Sequence, residues 1–88
     1  MNRRARALAG ALLLTDRLLD STVSPAQKQA ALDSAPERVL RRTRGFTHQS
    51  PDSLGIMASR TVARRFPRDP QATGNLIRQL VYHGRLKE

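Results

Sequence analysis

The chain has no cysteine and no tryptophan, and only seven of its 88 residues are acidic. Without cysteine, disulfides, thiolate metal sites and thiol-based catalysis are excluded. The seven acids are scattered along the chain, so none forms the close carboxylate pair used in general acid–base catalysis. No stretch approaches the ~20 continuous apolar residues that cross a bilayer. We therefore expect a protein that is not an enzyme and has no membrane span.

Histidine, serine and glycine are also arranged in ways that do not predict a catalytic or cofactor site. His48, Ser50 and Asp52 lie in one predicted loop, which cannot hold them as a rigid relay. Neither His48 nor His83 has a second ligand at metal spacing. The five glycines are isolated rather than gathered in a phosphate-binding loop. We expect no metal and no cofactor.

Arginine, in contrast, is abundant. All of the sixteen basic residues except Lys28 and Lys87 are arginine, and the formal net charge is +9. Guanidinium groups make two-pronged contacts with phosphate and guanine that ammonium groups cannot make. This composition predicts a polyanionic partner, above all nucleic acid, although a GC-rich coding sequence would also enrich arginine.

The start of the chain bears on the compartment. Residues 1–15 contain three arginines and no acid, as do organellar transit peptides. An ordinary amphipathic first helix explains the same pattern, because the apolar run is short and is interrupted by Gly10. The expected compartment is the cytoplasm, in association with the nucleoid, and the mitochondrial matrix is the alternative.

Helix start and stop signals divide the chain into four or five helices with no credible strand. The first predicted helix spans about Arg3 to Leu19, and its leucines exceed what a small core can cover, which predicts burial against the chain or against a second copy. Ser24 to Gln27 predicts the next helix start, and Ser34 to Glu37 the third. The third helix is expected to end at Gly45.

The second half of the chain predicts two more helices. Ser50-Pro51 is a start signal for a helix with an apolar row (Leu54, Ala58, Val62 and Phe66) that must stop before Pro67. Asp69 is the expected cap of the last helix, which runs from Pro70 to about His83 and stops at Gly84. Its predicted inward stripe comprises Thr73, Leu76, Ile77, Leu80 and Val81.

These elements predict an all-α fold, a small helical bundle of four to five helices that forms one compact domain. Residues 1–33 would supply N-terminal helices for packing or dimerisation. Residues 34–88 would form the basic region.

In that region Ala63 is a small residue on the fourth predicted helix, residues 67–70 form a short turn, and Leu80 to Leu86 read Leu-x-x-x-Gly-x-Leu. This pattern resembles the helix-turn-helix core of winged-helix DNA-binding proteins, over about the last thirty residues. The resemblance implies a helix-turn-helix whose last helix is the recognition helix. Only four residues follow Gly84, so no complete wing is expected.

The candidate contacts form two sets. The side chains on the last helix whose donors and acceptors suit base edges are Gln71, Asn75 and Arg78, and the alternative for them is a solvated face. The candidate phosphate contacts are Arg41, Arg42, Arg44, Arg60, Arg64, Arg65 and Arg68. Arg38 supports the first three, which could instead complement the dipole at a helix C-terminus.

The expected function is therefore nucleic-acid binding, with DNA favoured over RNA, by a transcriptional regulator that uses a helix-turn-helix. A structural RNA-binding protein of ribosomal type would share the charge and bind shape and phosphate. A small phage-type regulator or inhibitor would instead bind a protein partner through the apolar first helix. That helix could also form a homodimer.

Overall fold

The computed structural model describes residues 2–47 and 54–84, which fold into five helices. They are α1 (Arg3–Leu19), α2 (Pro25–Ser34), α3 (Glu37–Thr47), α4 (Leu54–Arg65) and α5 (Pro70–Tyr82). No strand occurs within these described ranges, which confirms the all-α prediction. Three features of the sequence analysis lie outside the described residues: His48, the predicted helix start at Ser50-Pro51, and Leu86 at the end of the Leu-x-x-x-Gly-x-Leu pattern. None of the described helices combines the length and apolarity needed to cross a bilayer.

Short polar side chains cap the N-termini of three helices. Asn2 Oδ1 accepts a hydrogen bond from the Ala5 amide at 2.8 Å. Ser24 and Gln27 form the predicted capping box. Ser24 Oγ accepts from the Gln27 amide and Gln27 Oε1 accepts from the Ser24 amide, each at 3.1 Å. Asp69 Oδ1 accepts from the amide of residue 71 at 3.0 Å, which confirms the predicted cap of α5. These bonds satisfy amides that no helix carbonyl can reach.

The prediction that Ser34 caps α3 is wrong. Ser34 is the last residue of α2, and its hydroxyl donates to the Ala30 carbonyl at 2.9 Å, within its own helix. The first carbonyl of the α3 ladder is that of Pro36, which accepts from the Leu40 amide at 2.9 Å. Because α2 continues through Ser34, the serine hydroxyl is already engaged within that helix.

The prediction that Gly45 ends α3 is also wrong, because the helix continues to Thr47. Thr43 and Thr47 are fully buried on one side of this helix, and the Thr47 hydroxyl donates to the Thr43 carbonyl at 2.9 Å. Burial of this threonine pair favours a further helical turn, which outweighs the weak helix propensity of one glycine. Gly84, in contrast, has the left-handed φ of +70° expected of a helix stop.

One apolar cluster joins the helices. α3 packs against both α1 and α4, and α5 packs against α4. The buried members of the cluster are Leu14, Leu18, Leu32, Ala35, Leu40, Ala58, Val62 and Ala72. Each fully buried leucine or valine stabilises the fold by roughly 1.5–3 kcal/mol, so this cluster fixes how the surface side chains are arranged.

Small residues bring α1 and α3 close together. Ala7 and Ala11 are buried on α1, and a Cβ placed on Gly10 would lie only 2.9 Å from Val39 Cγ2 on α3. Side chains of this size let the two helix backbones approach closely. The close approach sets the surface around the first turns of both helices.

α5 turns a different face inward from the one predicted. Its buried residues are Ala72 and Gln79, while Thr73 is exposed and Ile77 and Val81 are 51% and 52% exposed. Leu76 and Leu80, also predicted to face inward, are half-buried. Ala72 lies in the shared core at 1% exposure, and this anchor, rather than the number of apolar residues, sets the rotation of the helix.

Candidate nucleic-acid interface

The first turns of α1 and α3 enclose a basic surface around Ala7. One depression there has a volume of about 280 Å³ and is lined by Arg4, Arg38, Arg41 and Arg42. A second depression of about 510 Å³ shares Ala7 and Arg38 with the first. Its other basic lining residues are Arg3 and Arg6. We call these six residues the α1–α3 arginine groove: Arg3, Arg4, Arg6, Arg38, Arg41 and Arg42.

Little negative charge lies in this groove to balance its guanidinium groups. Arg41 is the only one of the six that forms an ion pair within the described part of the chain. The other five guanidinium groups have no carboxylate partner among the described residues. Six cations from two adjacent helices, around an alanine floor, favour a ligand that carries several negative charges along its length.

Helix spacing explains how α3 presents its arginines. Leu40 is fully buried, and Val39 packs against α1. Arg38 and Arg42 are separated by four residues, and they share one exposed side of the helix. The apolar residues that dock α3 thus also fix the direction of the two arginines.

Arg41 connects the groove to the start of α5. Its Nη1 atom lies 2.7 Å from Asp69 Oδ2, and its Nε atom lies 3.4 Å from Glu37 Oε2. Its guanidinium group also stacks over the Phe66 ring, 4.5 Å from the centroid. The hydrogen bond from Arg41 lowers the pKa of Asp69 below its usual value. The carboxylate that caps α5 is therefore held by the same arginine that lines the groove.

Arg44 lies next to this ion pair, on the side of α3 that is half-buried. Burial lowers the pKa of Arg44, and repulsion from Arg41 lowers it further, while Asp69 acts in the opposite direction. Its Nε atom is buried and has no hydrogen-bond partner among the described residues. Arg44 is thus placed beside the groove but less accessible than Arg42.

The arginines of α4, which the sequence also predicted as phosphate contacts, are differently placed. Arg64 forms an ion pair with Asp33 of α2. Arg65 donates from Nη1 to the carbonyls of Leu32 at 3.3 Å and Ala35 at 2.6 Å, at the C-terminal end of α2. Both side chains therefore hold α2 against α4.

The other two predicted phosphate contacts are exposed. Arg60 lies on α4, and Arg68 lies in the short turn before α5. Arg68 directly precedes Asp69, the residue that caps α5. Of the predicted phosphate contacts, Arg41 and Arg42 thus line the groove, whereas Arg64 and Arg65 contact α2.

The three predicted base-reading residues all lie on α5, but their exposure differs. Gln71 and Arg78 are exposed, whereas Asn75 is half-buried. The same helix exposes Tyr82 at 69%, and its ring meets the His83 ring edge-on, with centroids 5.0 Å apart. The outward face of α5 is therefore mixed, with Gln71 and Arg78 beside apolar side chains.

Sequence reasoning did not include Arg3, Arg4 and Arg6 among the candidate contacts. These residues were interpreted through their resemblance to a targeting segment, and only the crossing of α1 and α3 brings them next to Arg38. The signal that could have found them is the run of small residues at Ala7, Gly10 and Ala11, which is typical of a close helix crossing.

Comparisons with known proteins give no further information about this surface. No family model matches the chain, and neither a curated protein nor a solved structure matches it. Among the described residues, no group of histidine and acidic side chains could hold a metal ion. The chemistry that the arrangement offers is the binding of anions by guanidinium groups.

Proposed function

We propose that the protein binds nucleic acid, with duplex DNA as the favoured ligand, and acts as a transcriptional regulator. The observation that carries this proposal is the α1–α3 arginine groove. It gathers six guanidinium groups from two helices, and Arg41 alone of these has a carboxylate partner within the described residues. Planar guanidinium groups suit the two-pronged binding of phosphate oxygens.

In this proposal the groove binds the phosphate backbone and α5 approaches the bases. The order of a helix, a turn of four residues and a second helix supports the resemblance to a helix-turn-helix. The Arg41–Asp69 ion pair supports it further, because it places the N-terminus of α5 beside the groove. Gln71 and Arg78 are the exposed candidates for base edges, and half-buried Asn75 is the less accessible one.

The phosphate-binding part of the proposal is tested by the salt dependence of binding. Fluorescence anisotropy would measure the affinity of a labelled duplex for the wild type and for R38A/R42A across a salt series. Each phosphate contact contributes about −0.9 to the slope of log affinity against log salt, so the loss of two contacts should flatten the slope by about 1.8. Equal affinity and slope in the wild type and the double variant would contradict the proposal.

The matched control is R17A/K28A, which also removes two positive charges. Neither Arg17 nor Lys28 lines the groove, so the control should retain the wild-type slope. If both double variants lost the same affinity, binding would depend on net charge rather than on the groove.

The base-reading part needs a separate test. Selection from random duplexes would yield the preferred sequence, and R78A should cost about 1–3 kcal/mol on that sequence and little on random DNA. R17A serves as the control with the same change of side chain. Failure of any sequence to be enriched, together with tighter binding to folded RNA, would instead favour the structural RNA-binding alternative.

A further inference from the structure

One face of α1 carries a row of side chains at steps of four residues. The row consists of Arg4, Leu8, Leu12 and Asp16, and all four are exposed. Leu8 is 39% exposed and Leu12 is 51% exposed. Residues at this spacing lie one above another along a helix. The row is therefore a continuous surface strip with a basic end, an apolar middle and an acidic end.

The fold does not use these leucines. The residues of α1 that face the core are Ala7, Ala11, Leu14 and Leu18. Leu13 and Leu19 add to the exposed apolar surface, at 72% and 56% exposure. Single exposed leucines are ordinary, but a group of them on one helix marks an interaction surface.

The row is complementary to itself when two copies of α1 run antiparallel. With Leu8 opposite Leu12 of a second copy, Arg4 lies opposite Asp16 of that copy, and the two-fold axis repeats both pairs. A parallel arrangement would place Arg4 opposite Arg4 and Asp16 opposite Asp16. Antiparallel packing also brings the N-terminal arginines near the negative end of the partner helix dipole.

We propose that α1 forms an antiparallel homodimer with α1 of a second copy through this row. Charge complementarity favours a second copy over an anionic lipid surface, because Asp16 continues the leucine row and would be repelled by lipid phosphate. The leucines give phosphate nothing to bind. Leu8 and Leu12 do not line the arginine groove, whereas Arg4 lines it and also ends the leucine row. L12D therefore separates the dimer from the proposed nucleic-acid binding, because it leaves all six groove arginines in place.

Disulfide trapping tests the relative orientation of the two α1 helices. Because the chain has no native cysteine, only the introduced thiols can form disulfides. Chains carrying L8C and chains carrying L12C would be oxidised separately and as a mixture. The antiparallel pair predicts that the mixed L8C–L12C dimer forms faster than the L8C–L8C dimer. Faster L8C–L8C coupling would show parallel packing and overturn the proposed arrangement. I77C is the control, because Ile77 is 51% exposed, like Leu12, but lies on α5.

Sedimentation equilibrium of the full chain tests whether the interface exists in solution. L12D should abolish the dimer, whereas the matched I77D should leave it unchanged. If I77D dissociated the dimer and L12D did not, the interface would lie on α5, and the proposal would be overturned. A wild type that stays monomeric at all concentrations, or that only associates with anionic vesicles, would overturn the proposal.

A charge swap distinguishes the predicted pairing from a general apolar contact. R4E and D16R should each raise the dissociation constant of the dimer by roughly two- to thirtyfold, because each single change removes two exposed ion pairs across the two-fold axis. The double variant R4E/D16R should restore dimerisation. Circular dichroism would confirm that each variant is folded. Dimerisation that is unaffected by the single changes, or not restored by the double change, would contradict the pairing.

Discussion

Two helix pairs are held together by different kinds of contact. They are α1 with α3 and α2 with α4. α1 meets α3 through small apolar residues, with Gly10 tight against Val39. α2 meets α4 through polar side chains: Arg65 binds α2 carbonyls, and Gln29 Nε2 donates to Thr61 Oγ1 at 2.9 Å. Both contacts join two helices, but beside the first, every groove arginine except Arg41 lacks an ion-pair partner among the described residues.

This difference teaches that arginine content alone does not locate a binding surface. Arg64 and Arg65 lie in a row that looks as basic as the groove, yet their guanidinium groups are bound by Asp33 and by backbone carbonyls. Arg38 and Arg42 are exposed beside a contact that apolar side chains already stabilise. Arg38 and Arg42 can therefore bind a ligand without breaking a contact that stabilises the fold.

The largest expected effect is that of Arg65→Ala. Hydrogen bonds from a charged group to carbonyls contribute about 1.5–3 kcal/mol, so we expect a loss of that size in the free energy of unfolding. Urea denaturation would measure it. Arg64→Ala is the control on the same helix and should cost only about 0.2–1 kcal/mol, because its ion pair is exposed. Equal losses would remove the distinction between the two arginines.

Gly10→Ala should have an intermediate effect on stability, and it tests the contact between α1 and α3. The added Cβ would lie 2.9 Å from Val39 Cγ2, and the side chain of valine is stiff. Overpacking costs roughly 1–3 kcal/mol, whereas alanine gains about 1 kcal/mol in helix propensity. We therefore expect a net loss in the wild type. In a Val39→Ala background the same change should stabilise, and urea denaturation of the four proteins would reveal the reversal of sign.

Asp69→Asn should have a smaller effect that depends on pH. Asparagine retains the helix cap but loses the ion pair with Arg41. Because the pKa of Asp69 is lowered in the folded state, its contribution is present above the unfolded value of about 3.9 and is lost as pH falls through the folded pKa. The wild type should thus be the more stable protein at pH 7. Denaturation curves that converge at strongly acidic pH would support this linkage, and a constant difference would contradict it.

The smallest effect on stability is expected for Arg42→Ala. Arg42 is exposed and lines the groove without a partner in the described part of the chain, so the free energy of unfolding should change by no more than about 0.5 kcal/mol. Differential scanning calorimetry would check this. A loss as large as that of Arg65→Ala would show that the groove arginines also hold the fold, and the comparison would fail.

The elements that local chemistry controls could be predicted from the sequence. Arg3–Leu19 was predicted with the observed bounds, and Ser24, Asp69 and Gly84 act as expected. Caps and left-handed stops depend on residues within one turn of each other, so the sequence carries them directly. The resemblance to a helix-turn-helix and the base-reading roles remain predictions.

What depends on distant contacts could not be predicted in the same way. The rotation of α5 is set by Ala72 in the shared core, so the apolar residues Ile77 and Val81 face solvent. The bonds of Arg65 depend on where α2 ends in space, which no local pattern specifies. The arginine groove likewise exists only because α1 crosses α3 at Ala7.

The exposed ring at the end of α5 has a spectroscopic consequence. Tyr82 is the only tyrosine and the chain has no tryptophan, so absorption near 280 nm and intrinsic fluorescence come from one phenol. That phenol is 69% exposed and lies edge-on to His83. Its emission therefore depends on the surroundings of one end of α5 and changes little with the packing of the core. Unfolding followed by this signal would record the fraying of α5, and far-ultraviolet circular dichroism would be needed to follow the rest of the protein.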